Sequence, residues 1–88
     1  MLKLTTTVAE DGSLTIHIAG RLTRDGCNAI DEILKGAREP LRPATIDFDG
    51  IRLVDRSCID YLASMRRRHI RLINLPPYVE RWIEQISK

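Results

Sequence analysis

Residues 48–62 read FDGIRLVDRSCIDYL. An acidic strand end, Asp47-Phe48-Asp49, runs through Gly50 into the apolar pair Leu53-Val54. It then reaches Asp55-Arg56-Ser57-Cys58, where an amphipathic segment begins. Cys58, Ile59, Leu62, Ala63 and Met65 or Arg66 follow helical spacing, which predicts a helix over about 57–67. A hydroxyl and a thiol at a helix start can do chemistry, receive a phosphate, or only cap the helix. The arginine between the aspartate and the serine is the residue that any reading has to explain.

Upstream, Ala44–Phe48 reads as a strand with Ile46 and Phe48 on one face. A helix precedes it, capped by Thr23 or Asp25, with Cys27, Ile30, Ile33, Leu34 and Ala37 as its apolar stripe. Gly36 weakens its last turn, and Pro40 and Pro43 end the region. A strand that follows a helix returns to the sheet by a crossover, so parallel pairing is expected. At the N-terminus, LKLTTTVA (2–9) suits an edge strand and LTIHIA (14–19) a half-buried one. Glu10-Asp11-Gly12-Ser13 makes the turn of a hairpin between them.

Downstream, HIRLIN (69–74) reads as a short strand with Ile70 and Leu72 on one face. Pro76-Pro77 opens a third helix whose stripe is Tyr78, Val79, Trp82, Ile83 and Ile86. The order is β-β-α-β-α-β-α, which predicts an α/β fold, a mixed four-stranded sheet with helices packed on it.

The chain is 43% hydrophobic and 30% charged over 88 residues, which reads as one globular domain, residues 1–88. A net charge of +2 gives no argument for nucleic acid. No apolar run nears the roughly 18 to 20 residues of a membrane span, so no membrane insertion is expected. MLKLTTTVAEDG lacks the apolar region of a secretory signal, and the expectation is a cytoplasmic protein. Cys27 and Cys58 lie in different predicted helices and show neither a disulfide framework nor a zinc spacing. No cofactor is called for.

Three segments resemble the STAS domain, the family of bacterial anti-sigma-factor antagonists and of the cytoplasmic domains of sulfate transporters. LTIHIAGRLT is similar to the family's strand followed by Gly-x-Leu-Asp. ATIDFDGIRLVDRSC is similar to a strand ending in Asp-Leu-Ser, then an apolar pair and Asp-Ser-Ser-Gly at a helix start. RLINLPPYVERWIEQI is similar to its last strand, a Ser-Pro-like turn and a closing amphipathic helix. The second segment is the most specific, because the spacing from Asp47 to Asp55 matches without a gap. The resemblance implies a protein-interaction domain acting in signalling and transcription regulation. There, the first hydroxyl after the aspartate is phosphorylated by a kinase that is also the anti-sigma factor. A phosphate adds about −1.5 to −2 charges in the middle of such an interface.

Here Asp55 matches, but Arg56 occupies the acceptor position. Ser57 matches the second hydroxyl, Cys58 replaces a glycine, Thr23 an aspartate and Asp49 a serine, and the stretch from Asp55 to the last strand is shorter than usual. This places the chain in a subgroup with a degenerate phosphoacceptor. The expected partner is an anti-sigma-factor kinase-like protein, docked without phosphorylation at the usual position. The alternative is a STAS subunit that regulates the ATPase of a lipid-trafficking ABC transporter. A homodimer is a further arrangement to test.

The expected docking surface is Arg21, Thr23, Asp55, Arg56, Ser57 and Cys58, with Asp60, Tyr61 and Ser64 facing outward from the helix. Ser57 is the remaining candidate for phosphorylation, against a plain N-cap serine, and Asp55 is equally able to cap. Arg56 binds an acidic partner or pairs with Asp49 or Asp60. Cys58 is a reactive thiolate, which would make the chain a thiol- or carboxylate-dependent enzyme, or a small core residue; the core reading is preferred, with no catalytic residue. Asp47, Asp49 and Asp55 suggest a receiver-like metal pocket, but no lysine follows at a suitable strand end, so no metal is expected. His17 and His69 read as surface residues. Arg66-Arg67-Arg68-His69 reads as a solvated basic helix end rather than a patch for nucleic acid or lipid, and Trp82 as core.

Overall fold

The computed structural model describes residues 2–36 and 43–86. In order these form β1 (Leu2–Val8), β2 (Leu14–Leu22), α1 (Arg24–Gly36) and β3 (Ala44–Val54). A single 3-10 turn (Arg56–Cys58) then leads into α2 (Ile59–Arg67), followed by β4 (Arg71–Ile73) and α3 (Pro77–Ile86). The strands line up as β1-β2-β3-β4, the first pair antiparallel and the other two parallel. This is the expected mixed four-stranded sheet. Ala37 and Pro40, part of the expected helix end, lie outside the described residues.

The hairpin closes where its turn residues require. Gly12 adopts φ 89°, Ala9 N–H bonds the Ser13 carbonyl at 2.9 Å, and Asp11 Oδ1 accepts the Ser13 N–H at 2.9 Å. After it, two crossovers step the same way across the sheet, β2 to β3 and β3 to β4. Such connections are right-handed as a rule, so α1 and α2 cover one face. Ile16, Ile18, Leu22, Ile46, Phe48 and Val54 point into that face. They meet Cys27, Ile30 and Leu34 of α1, Leu62 and Met65 of α2, and Val79 and Ile83 of α3. Each such side chain contributes about 1.5–3 kcal/mol on burial, before chain entropy is counted. The other face carries Lys3, Thr5 and His17, which are exposed, and Thr15, Thr45 and Asp47, which are partly so.

Two strands outrun their expected ends. β2 continues to Leu22 and β3 to Val54. The apolar alternation of β3 breaks after Phe48 because its pairing with β2 slips twice. Leu14 pairs with Ala44, Ala19 with Gly50, and Arg21 with Leu53, so the offset grows from 30 to 31 to 32 residues. One slip exchanges the faces and the second restores them, which brings Ile51 and then Val54 to the core side. Gly20, at φ 95°, sits at the second slip. At the first, Gly50 approaches β2 so closely that a Cβ built on it would lie 2.8 Å from the Cβ of Ala19.

The end of α2 is also set locally. Ile70 N–H bonds the Met65 carbonyl at 3.1 Å and His69 N–H bonds the Arg66 carbonyl at 3.2 Å. This is the Schellman pattern, with buried Ile70 and Met65 as its apolar contact. His69 takes the left-handed seat, φ 63°. β4 is shorter than the expected 69–74 because His69 belongs to this cap and Asn74, φ 58°, turns the chain toward α3. Pro77 then occupies the first helical position, where its missing N–H is harmless.

Candidate functional site

The turn after β3 is tied to the end of β2. Asp55 N–H bonds the Leu22 carbonyl at 2.9 Å, which continues the β2–β3 pairing by one residue. Asp55 is extended, φ −67° and ψ 137°, and its Oδ1 accepts the Ser57 N–H at 3.0 Å. Of the two residues able to cap, Asp55 fills the role and Ser57 does not. An extended residue just before a turn can reach back over the turn's free N–H groups; a residue already inside it cannot. The Ser57 hydrogen bonds, and less strongly the charge of Arg21, hold the Asp55 carboxyl below the usual carboxylate range.

Arg56 does not pair with Asp49 or Asp60. Its guanidinium carbon stands 5.2 Å from the centroid of the Trp82 ring. Trp82 in turn meets Tyr78 edge-on, 5.2 Å between centroids at 82°. The Tyr78 hydroxyl accepts the Val54 N–H at 3.1 Å, where β3 has run past β4 and has no strand neighbour on that side among the described residues. An aromatic pair one turn apart on α3 thus braces both the strand end and the turn. Trp82 is only half buried, at the margin of the core rather than within it. The sequence signal for this role was the i, i+4 spacing of Tyr78 and Trp82 at the edge of the apolar stripe.

Cys58 is removed from the exposed surface. It is 1% accessible, and its Sγ–H points at the Leu22 carbonyl at 3.6 Å. Burial raises the pKa of both thiols, Cys27 and Cys58, which disfavours the thiolate. Cys58 is the core residue of the preferred reading, because the turn drops it under the end of β2. Tyr61 is likewise not free: half buried, it donates its hydroxyl to Asp31 Oδ1 at 3.1 Å. Asp31 also receives Lys35 at 3.1 Å and Arg68 at 3.8 Å, so α1 and α2 are clasped at this carboxylate. The Lys35 contact and the Tyr61 hydroxyl keep Asp31 below its usual range, while burial raises Tyr61.

Asp55, Arg56, Ser57 and Asp60 are exposed, and Ser64 is partly so. Arg21 pairs with Leu53 at the end of β2, on the neighbouring strand. Thr23 stands at the N-cap position of α1, its carbonyl accepting the Cys27 N–H at 3.0 Å, while Asp25 falls inside the first turn. A cleft of about 220 Å³ lies between the starts of α1 and α2, bordered by Arg24, Cys27, Asn28, Ser57, Asp60 and Tyr61.

Asp47 is occupied elsewhere. Its Oδ1 accepts Asn74 Nδ2 and the Asp49 N–H, both at 2.9 Å, and its Oδ2 lies 3.3 Å from His17 Nδ1. These contacts, Asn74 first, lower its pKa. No group of three or more His, Cys, Asp or Glu is placed to hold a metal ion among the described residues. The basic run is mostly spent on the fold: Arg66 makes a two-pronged bridge to Glu80 at 2.9 and 3.0 Å, tying α2 to α3. No helix among the described residues is long and apolar enough to cross a membrane.

Several comparisons bear on this geometry. No curated protein sequence matches the chain. Among solved structures, the anti-sigma factor antagonist SpoIIAA in its unphosphorylated form superposes with a TM-score of 0.66. That match covers 90% of this chain and 79% of that one at 16% identity. An uncharacterised DUF3478-family protein with a SpoIIAA-like fold, from Shewanella loihica PV-4, gives 0.57 over 98% of this chain and 76% of its own, at 15% identity. At these identities the likeness is one of fold. The family described as "Mlab, STAS domain" matches residues 5–87. That span holds most of the hairpin, both crossovers, the Asp55 turn and α3, and the chain belongs to the STAS domain family.

Proposed function

We propose that this chain is a non-catalytic regulatory module that docks a protein partner in the cytoplasm. The docking surface is the 55–57 turn with Asp60 and Ser64 of α2, bordered by Arg21 and Thr23. One observation carries the reading: the turn is fixed from two sides while its tip stays exposed. Asp55 is bonded to the end of β2, and Arg56 is held over Trp82 of α3. A surface ordered in advance loses less entropy on association, which favours binding. The buried, proton-retaining thiols and the committed Asp47 carboxylate weigh against an enzyme.

Arg56 sits where the family resemblance expects the phosphate acceptor. A guanidinium cannot take that phosphate, so the reading favours a partner that needs no kinase cycle. The ATPase of a lipid-trafficking ABC transporter fits that requirement better than an anti-sigma-factor kinase. The test is a photo-crosslinking amino acid at position 57 or 60, with position 10 in the β1–β2 turn as control. The same protein should be captured from 57 and 60 and not from 10. Equal capture from position 10, or none from 57 and 60, ends the docking reading.

A second reading rests on the exposure of Ser57. It is a shifted phosphoacceptor for a kinase-type partner. Intact mass after incubation with the cognate kinase should then rise by one phosphate in the wild type and not in Ser57→Ala.

A further inference from the structure

Four arginines lie within two residues of the ends of β2 and β3 in sequence. Arg21 pairs in register with Leu53, and Arg52 precedes Leu53 at the second slip of β3. With Gly20 these residues line an open groove of about 490 Å³. Arg24 begins α1 three residues after Arg21, and Arg56 stands over Trp82 across the turn. All four are exposed, and none has an ion-pair partner among the described residues. Arg66 and Arg68, by contrast, are bonded to Glu80 and Asp31. Asp55 lies close enough for Arg21 to lower its pKa, but one of its oxygens is taken by the Ser57 N–H. Leu53 is 45% exposed, an apolar side chain beside two free guanidinia.

We propose that this groove receives an acidic segment of the docked protein, with carboxylates on Arg21 and Arg52 and an apolar side chain against Leu53. The inference rests on the docking reading above and names the chemistry of its partner. Guanidinium forks meet carboxylates through two parallel hydrogen bonds, and arginine is enriched at protein interfaces. Nucleic acid and an anionic membrane fit less well. Asp25, Asp55 and Asp60 are exposed among the arginines and would face a continuous row of phosphates or a plane of headgroups. A short peptide can put its carboxylates only where a guanidinium waits.

The test uses a short fluorescein-labelled peptide of Glu-Leu-Glu repeats, read by anisotropy at low and at physiological salt. The same peptide with lysine for glutamate, a single-stranded DNA of equal charge and phosphatidylglycerol vesicles serve as comparisons. The Glu peptide should bind, weaken with salt, and lose about tenfold or more in affinity with Arg21→Glu plus Arg52→Glu. Arg21→Gln plus Arg52→Gln should lose part of it at unchanged circular dichroism. No binding of the Glu peptide, binding indifferent to these substitutions, or equal or tighter binding of the DNA or vesicles overturns the proposal. If crosslinking from positions 57 and 60 persists in the double charge reversal, the acidic groove fails and the docking reading stands. If the peptide binds as expected but crosslinking fails, the docking reading is the one lost.

Discussion

The Arg56 guanidinium carbon stands 5.2 Å from the centroid of the Trp82 ring, so Arg56 is held by the last helix and not by its acidic neighbours in sequence. A contact of this kind at an exposed site contributes about 0.5–1 kcal/mol. Trp82 is the only tryptophan, which makes the contact readable by fluorescence. Arg56→Ala should shift the emission. A double-mutant cycle with Trp82→Leu in urea should give a coupling of about that size. A coupling near zero would mean the two side chains do not interact in solution.

Tyr78→Phe removes one oxygen and leaves the Val54 N–H without its partner. The expected loss is about 1 kcal/mol. Amide exchange at Val54 should accelerate while exchange at Ile46, paired between two strands, changes only with global stability. Unchanged protection at Val54 would count against the brace.

Gly50→Ala forces a methyl to within 2.8 Å of the Ala19 Cβ, a backbone-borne atom that cannot swing aside. Over-packing of this kind costs roughly 1–3 kcal/mol. Adding Ala19→Gly removes the colliding atom and should recover most of the loss in a denaturant titration. If Gly50→Ala is as stable as the wild type, the close approach of β2 and β3 is wrong.

Acid should weaken the fold in a defined direction. Asp31, Asp47 and Glu80 all have lowered pKa values, caused first by Lys35, Asn74 and Arg66 respectively. A carboxyl with a folded pKa below its unfolded one stabilises the native state at pH values above the unfolded pKa. That contribution disappears as the pH falls through the folded pKa. Stability should therefore hold from neutral pH down to about pH 4.5 and fall below it. Asp31→Asn plus Asp47→Asn should be less stable at neutral pH and show a shallower acid limb. Glu80 adds less, since it is 41% exposed and solvent screens its bridge.

The thiols give a chemical check on the core. Cys27 and Cys58 are both buried and their pKa values are raised. Both should react slowly with a mild alkylating agent at neutral pH and quickly once the chain is unfolded in urea. A Cys58 that reacts far faster than Cys27 in the native protein would restore the reactive-thiol reading.

The order of elements and the buried face of each were legible because they rest on local chemistry. Leu14, Ile16 and Ile18 alternate as a half-buried strand must, and Asp11-Gly12 marks a turn that only its own backbone has to satisfy. Val79 and Ile83 sit one helical turn apart, and Pro77 opens their helix. The path of β3 beyond Phe48 was hidden, because its two slips depend on β2, and period two no longer describes a strand once an extra residue enters it.

The turn divides along the same line. Its existence, its aspartate and the arginine that follows stand in the sequence as residue types at fixed spacing. Asp55 rather than Ser57 as the cap, Cys58 beneath β2, Tyr61 on Asp31 and Arg56 over Trp82 came only with the packed chain. Each pairs side chains or strands far apart in sequence or depends on the backbone angles of one turn. Which of several nearby partners a polar group takes is decided by where packing leaves it, and periodicity carries no record of that.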